Sequence, residues 1–113
     1  MTKSYYDEAD LARFGEIGKF APDLAEKFFA YYNAATGQDG ALTKREKALI
    51  ALGVALAKQC PYCIDAYTTQ CLETGSDPEQ MTEAMHVAAA MSAGIDLVHG
   101  VQMHNHLARK GAL

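Results

Sequence analysis

The chain is 113 residues long, half of them hydrophobic, with a formal charge of -4, three cysteines and no tryptophan. That length supports one domain with a modest core and leaves little room for an enclosed active site, so function at a boundary between subunits is expected. Scattered basic residues outnumbered by acids exclude a nucleic-acid surface; no apolar run reaches membrane-spanning length, and the opening Met-Thr-Lys-Ser-Tyr-Tyr lacks the apolar stretch of a secretory leader. The expectation is a single cytoplasmic domain over 1–113, with neither nucleic acid nor membrane as partner.

Hydrophobic spacing is helical almost throughout and no alternating strand stands out, so the fold is read as all-α with about six helices. A first short helix is predicted over 7–15. A second begins after Ala21-Pro22 and carries Leu24, Phe28, Phe29, Tyr31 and Tyr32, ending at a Gly37-Gln38-Asp39-Gly40 loop. The third opens with Thr43 and Glu46 at capping-box spacing, places Leu49, Leu52 and Leu56 on one face, and stops just before Cys60.

The fourth helix starts inside Cys60-Pro61-Tyr62-Cys63, with Cys60 as N-cap and Pro61 at the first helical position, and runs to about Glu73 before Gly75, a left-handed C-terminal cap. Asp77 caps a fifth helix that carries Met81, Met85, Val87, Ala88 and Met91 and ends before Gly94. A sixth, over 95–110, presents Leu97, Val98, Val101 and Leu107. A subunit this small cannot bury so much apolar helix face alone. A homo-oligomer is therefore expected.

The CxxC is the most informative feature. Thiols in the first turn of a helix face unpaired backbone N–H groups and the positive end of the macrodipole, both of which favour thiolate over thiol. In a reducing compartment such a pair reads as catalytic or metal-binding before it reads as a staple. A zinc site is the rival reading, but no second CxxC exists and its other ligands would have to come from His86, His99, His104 or His106. Cys71 lies roughly 12 Å along the helix from Cys63 and about 17 Å from Cys60, too far for a disulfide with either. It is expected to be a buried, inert thiol. No metal and no cofactor is expected.

The stretch from Leu42 to Thr68, a capped helix delivering Cys-Pro-Tyr-Cys to the start of another, resembles the AhpD-like alkylhydroperoxidase and carboxymuconolactone decarboxylase superfamily. The likeness covers roughly residues 41–100. It implies an all-helical subunit that assembles into trimers or hexamers, with Cys63 attacking peroxide and Cys60 resolving. More narrowly, Tyr5-Tyr6-Asp7, Phe14-Gly15-Glu16-Ile17-Gly18-Lys19 and Gln59 to Tyr67 look like peroxidase-like proteins associated with arsenosugar biosynthesis.

Peroxidase members carry a glutamate twelve residues before the first cysteine and a histidine four after the second. Here Ala48 and Tyr67 stand in those places. Alanine takes no proton, and a phenol with an ordinary pKa of about 10 is a poor base at neutral pH, though it can donate a hydrogen bond to a thiolate. Tyr67, one turn beyond Cys63, is expected to cover that thiol or to serve as a core aromatic. Glu46 does not replace the lost glutamate, because two residues turn a helix by roughly 200°. His86 and His99 are the candidates for a substitute base. His99 and His106 share a face of the last helix and His104 points away, so a soft-metal or arsenic(III) site reaching the thiols is conceivable there.

These readings converge on a thiol-dependent peroxidase-like disulfide oxidoreductase, with a small peroxide as substrate and a dithiol protein as reductant. The alternative is a dithiol module that captures arsenic(III) or another soft thiophile. Decarboxylation is a third reading, and it calls for a positioned proton donor and a cationic anchor that the linear sequence does not gather.

Overall fold

The structure, a computed structural model, describes residues 5–113. Residues 1–4, the start of the stretch read for a leader, lie outside the described residues. A 3₁₀ segment at Glu8–Gly18 is followed by α1 (Pro22–Thr36), α2 (Lys44–Ala57), α3 (Pro61–Glu73) and α4 (Pro78–Arg109), with no strand among the described residues.

Two expectations change. The first element begins as predicted, with Asp7 accepting a hydrogen bond from the Ala9 N–H at 2.9 Å, but it is a 3₁₀ helix and continues to Gly18. A 3₁₀ helix stacks residues three apart on one edge, and Leu11, Phe14 and Ile17 have that spacing and line a common groove. Phe14 packs edge-on against Phe29 of α1 at 5.0 Å. Gly18 permits the approach, since a Cβ there would lie 2.5 Å from the Ala25 Cβ.

The second change is that the predicted fifth and sixth helices are one. The α4 helix runs through Gly94 for 32 residues. Gly94 is followed by Ile95, which offers no oxygen to cap a new helix, and its φ is not in the left-handed region that a C-terminal cap needs. A glycine inside a helix costs only about 1 kcal/mol. The fused helix is also long and apolar enough, by length and composition, to cross a membrane, which the division into two had hidden.

The remaining boundaries follow their signals. Thr43 and Glu46 form the reciprocal capping box of α2, and Asp77 forms one with Gln80 at the start of α4. Gly75, at φ 94°, ends α3, with the Ser76 N–H bonded back to the Cys71 carbonyl at 2.9 Å.

The centre of the fold is α2, which packs against α3 and against α4. Its Ala48, Leu52 and Ala55 are buried, and Ala48 and Leu52 meet the fully buried Cys71 of α3 with Leu49, Leu56, Tyr67 and Met81 around them. Cys71 is thus the small buried hydrophobe that its position predicts.

The subunit is far from compact. Its radius of gyration is 19.1 Å, against about 13 Å for a globular chain of this length. It exposes 8813 Å², where about 6,100 Å² is usual for a 12.2 kDa monomer. No residue of α4 is buried, and Val87, Leu97 and Val98 are each more than 60% exposed.

Candidate active site

The α2 helix ends abruptly. Gln59 adopts φ 57°, a left-handed conformation normally left to glycine, while the Cys60 N–H bonds back to the Ala55 carbonyl at 3.0 Å. The reversal takes the chain from α2 into α3 with Cys60 as N-cap, so the dithiol sits at the corner between two helices of the core.

At that corner Cys60 accepts a hydrogen bond from the Cys63 N–H at 3.3 Å, and Pro61 occupies the first helical position, where its missing N–H leaves nothing unpaired. Both thiols are half-buried and free. The Cys63 thiol donating to Cys60 Sγ, together with the Cys63 and Tyr62 backbone N–H groups, pulls the Cys60 pKa below the ordinary thiol value. Burial, and then the hydrogen bond and charge of Cys60, push Cys63 up to about 11. Hydrogen bonding therefore favours ionisation of Cys60 over Cys63, so that Cys60 loses its proton first and Cys63 keeps its own.

Two grooves open onto the pair, and both are lined by Tyr32, Cys60, Cys63 and Tyr67. One, of about 480 Å³, lies between α1 and α2, with Leu42, Ile50, Ala51 and Val54 as aliphatic wall. The other, of about 370 Å³, faces the 3₁₀ segment and is edged by Asp10 and Arg13. Between them the Tyr32 and Tyr67 hydroxyls are hydrogen-bonded to each other. Burial, and then Tyr67 and the two cysteines, raise the Tyr32 pKa strongly, so its proton is held.

Tyr67 lines both grooves together with the two thiols and also packs on the core cluster. Ala48 is 1% exposed and belongs to the core cluster that Tyr67 packs on. The position of the missing glutamate is filled by a core methyl. Glu46 is engaged with Thr43, which holds its carboxyl below the usual range.

His86 and His99 do not join the site within the subunit. Both are exposed on α4, which packs on α2, and neither lines a groove that contains the thiols. The His99 ring bonds the Ile95 carbonyl of its own helix at 2.8 Å. Among the described residues no three histidine, cysteine or carboxylate side chains converge as a metal site.

Sequence reading missed Tyr32 and Lys58. Tyr32 follows Phe28 by four positions and so shares its face. A half-buried hydroxyl there needs a partner, a signal that was present. Lys58 had none. The structure also gathers what the linear sequence did not, with two lysines, Lys47 and Lys58, lining the same groove as the phenol pair.

The profile of the carboxymuconolactone decarboxylase family matches residues 22–103. The chain belongs to that family. An uncharacterized protein of the cox locus of Paracoccus denitrificans is 39% identical over 88 residues, 78% of each chain, and an uncharacterized protein of Cupriavidus necator is 34% identical over 82 residues, 73% of this chain and 72% of its own. Among solved structures, the apo form of a carboxymuconolactone decarboxylase family protein from Legionella pneumophila aligns with TM-score 0.64 and 33% identity over 80% of both chains. A protein from Methanobacterium thermoautotrophicum aligns with TM-score 0.69 and 30% identity over 75% of this chain and 94% of its own. These relatives support the AhpD-like superfamily and its helical fold. The narrower arsenosugar likeness gains nothing from them.

Proposed function

We propose that the protein is a thiol-disulfide enzyme that reduces peroxides through Cys63 and Cys60. The observation that carries this reading is the Cys63 N–H on Cys60 Sγ at the start of α3, which holds two free thiols side by side at a groove. In the proposed cycle the Cys63 sulfur attacks the distal oxygen of ROOH, the O–O bond breaks, and Cys63 becomes a sulfenic acid. Cys60 thiolate takes the Cys63 thiol proton and passes it to the leaving alkoxide, giving ROH. Cys60 thiolate then attacks the Cys63 sulfur, forming the disulfide and releasing hydroxide, which is protonated to water. A dithiol protein restores both thiols by exchange and leaves oxidised. The Tyr32–Tyr67 pair supplies hydrogen bonds to the oxygens in place of the family's glutamate and histidine.

Thiol counting under excess organic hydroperoxide tests this. Two thiols per chain should be lost while Cys71 persists, and Cys60→Ser should slow the oxidation of Cys63 and trap it as a sulfenic acid. If both thiols survive the oxidant, the reading fails. One observation favours the second reading, a dithiol module for arsenic(III): no carboxylate or histidine lines the α1–α2 groove. Tight stoichiometric arsenite binding without peroxide turnover would put that reading first.

We also infer that copies of the chain assemble. The surface in excess of a compact monomer, about 2,700 Å², is in the range of obligate interfaces, and the unburied apolar residues of α4 supply it. A neighbouring copy is also the remaining route by which His86 or His99 could reach a dithiol.

A further inference from the structure

The α1–α2 groove has a chemical character that the thiols alone do not explain. Its aliphatic wall includes Ile50 and Val54, each about half exposed. Two lysines line it and no carboxylate does. Lys47 is committed, donating to the Gln38 carbonyl at 2.7 Å and so tying down the loop after α1. Thr36 is committed too, its hydroxyl donating to the Tyr32 carbonyl at 2.7 Å. The ammonium of Lys58, one turn beyond Val54, has no ion pair or hydrogen bond among the described residues. The groove thus offers an aliphatic trough, one uncommitted cation, the dithiol and a hydrogen-bonded pair of phenols.

We propose that this groove binds a free amphiphilic carboxylate, with its aliphatic body along Leu42, Ile50 and Val54 and its carboxylate on Lys58. Such a ligand brings an electrophilic group of its own to Cys63. In the function proposed above, on which this assignment of the substrate rests, that group is a hydroperoxide, and the substrate class is an aliphatic hydroperoxy acid. Charge complementarity selects the acid. An alkyl chain in the trough contributes through the apolar area it removes from water, and the carboxylate contributes a charge-assisted hydrogen bond. Hydrogen peroxide would use neither. Ile50 and Val54 also edge the groove between α2 and α4, so a second copy of the chain is the rival occupant of this wall.

The test uses decanoate and methyl decanoate as probes on the full reduced chain, read by calorimetry and by protection of Cys60 from iodoacetamide. A charged hydrogen bond of about 1.5–3 kcal/mol predicts that decanoate binds about tenfold or more tighter than the ester. Lys58→Gln should abolish that difference and Lys58→Arg should retain it, while Ile50→Glu should weaken both ligands with the sedimentation coefficient unchanged. Equal binding of acid and ester, no effect of Lys58→Gln, or absence of binding each overturns the proposal. So does an Ile50→Glu variant that dissociates the assembly and still binds decanoate, because the wall is then a contact between copies. Decanoate binding that depends on Lys58, in a protein that fails to reduce any hydroperoxide, leaves this site standing and removes the peroxidase reading alone.

Discussion

The backbone N–H of Cys63 points at Cys60 Sγ from 3.3 Å, and the Cys63 thiol donates to the same sulfur. One residue therefore stabilises its partner as a thiolate while remaining protonated itself. The first proton to leave the reduced dithiol comes from Cys60. Its charge then opposes the second ionisation, and with burial this pushes Cys63 up to about 11. In the reduced protein, alkylation of Cys60 should rise with pH at a lower midpoint than that of an ordinary thiol, and Cys63 should stay unmodified through neutral pH. Peptide mapping after brief iodoacetamide treatment at a series of pH values reads both. In Cys63→Ala the midpoint of Cys60 should move upward, because its largest stabilising donor is removed.

Ala48 and Tyr67 explain why peroxide reduction by the natural protein should be slow. General base help is typically worth about 10²–10⁴ in rate, and neither residue supplies it. Tyr67→His with Ala48→Glu should raise the rate of Cys63 oxidation, measured with Cys71 replaced by serine. The structure adds a cost, since position 48 is 1% exposed. Ala48→Glu alone should be destabilised by about 3 kcal/mol or more, the scale for an unpaired buried charge, with partial recovery when Tyr67→His is combined with it. Thermal melts of the two single variants and the double variant give the order.

Tyr32→Phe and Tyr67→Phe should act as one change. Each leaves the other hydroxyl without its partner, at about 1–3 kcal/mol for a buried group, and the double variant should lose less than the sum. A double-mutant cycle on denaturant unfolding measures the coupling. If the pair also serves the peroxide step, either variant alone should slow Cys63 oxidation as much as both together.

Ser76 is buried at the end of α3, and its hydroxyl has no partner among the described residues. Its backbone N–H, not its side chain, performs the capping. Ser76→Ala should therefore stabilise the protein, by about 1 kcal/mol on the scale of an unsatisfied buried hydroxyl. Gly75→Ala should do the opposite, since φ 94° is strained for any residue with a Cβ. Urea midpoints for the two variants, with the slope unchanged, decide the matter.

The chain should behave in solution as a trimer or hexamer, with hexamer the preferred value. Multi-angle light scattering gives the mass. Val98→Asp on the unburied stretch of α4 should dissociate it at micromolar concentration, because a charge placed in an apolar contact is left unpaired. A natural protein that runs as a stable monomer would contradict the inference drawn from its 19.1 Å radius of gyration.

The sequence by itself determined the elements whose ends are local. Thr43 with Glu46, Cys60-Pro61, Gly75 and Asp77-Pro78 each satisfy or remove backbone groups within a few residues, so helix starts and stops are legible without any partner. The position of the dithiol and the engagement of Glu46 were legible for the same reason. Gly94 was misread because a glycine marks a stop only when a cap follows it, and Ile95 provides none. Only the tertiary structure decided what surrounds the thiols. Tyr67 was legible one turn beyond Cys63 on the same helix, but Tyr32 comes from α1 and Lys58 from the end of α2, and no periodicity relates those two to a dithiol on α3. The same packing removed His86 and His99 from the site. Their helix packs on α2, and neither histidine lines a groove that contains the thiols.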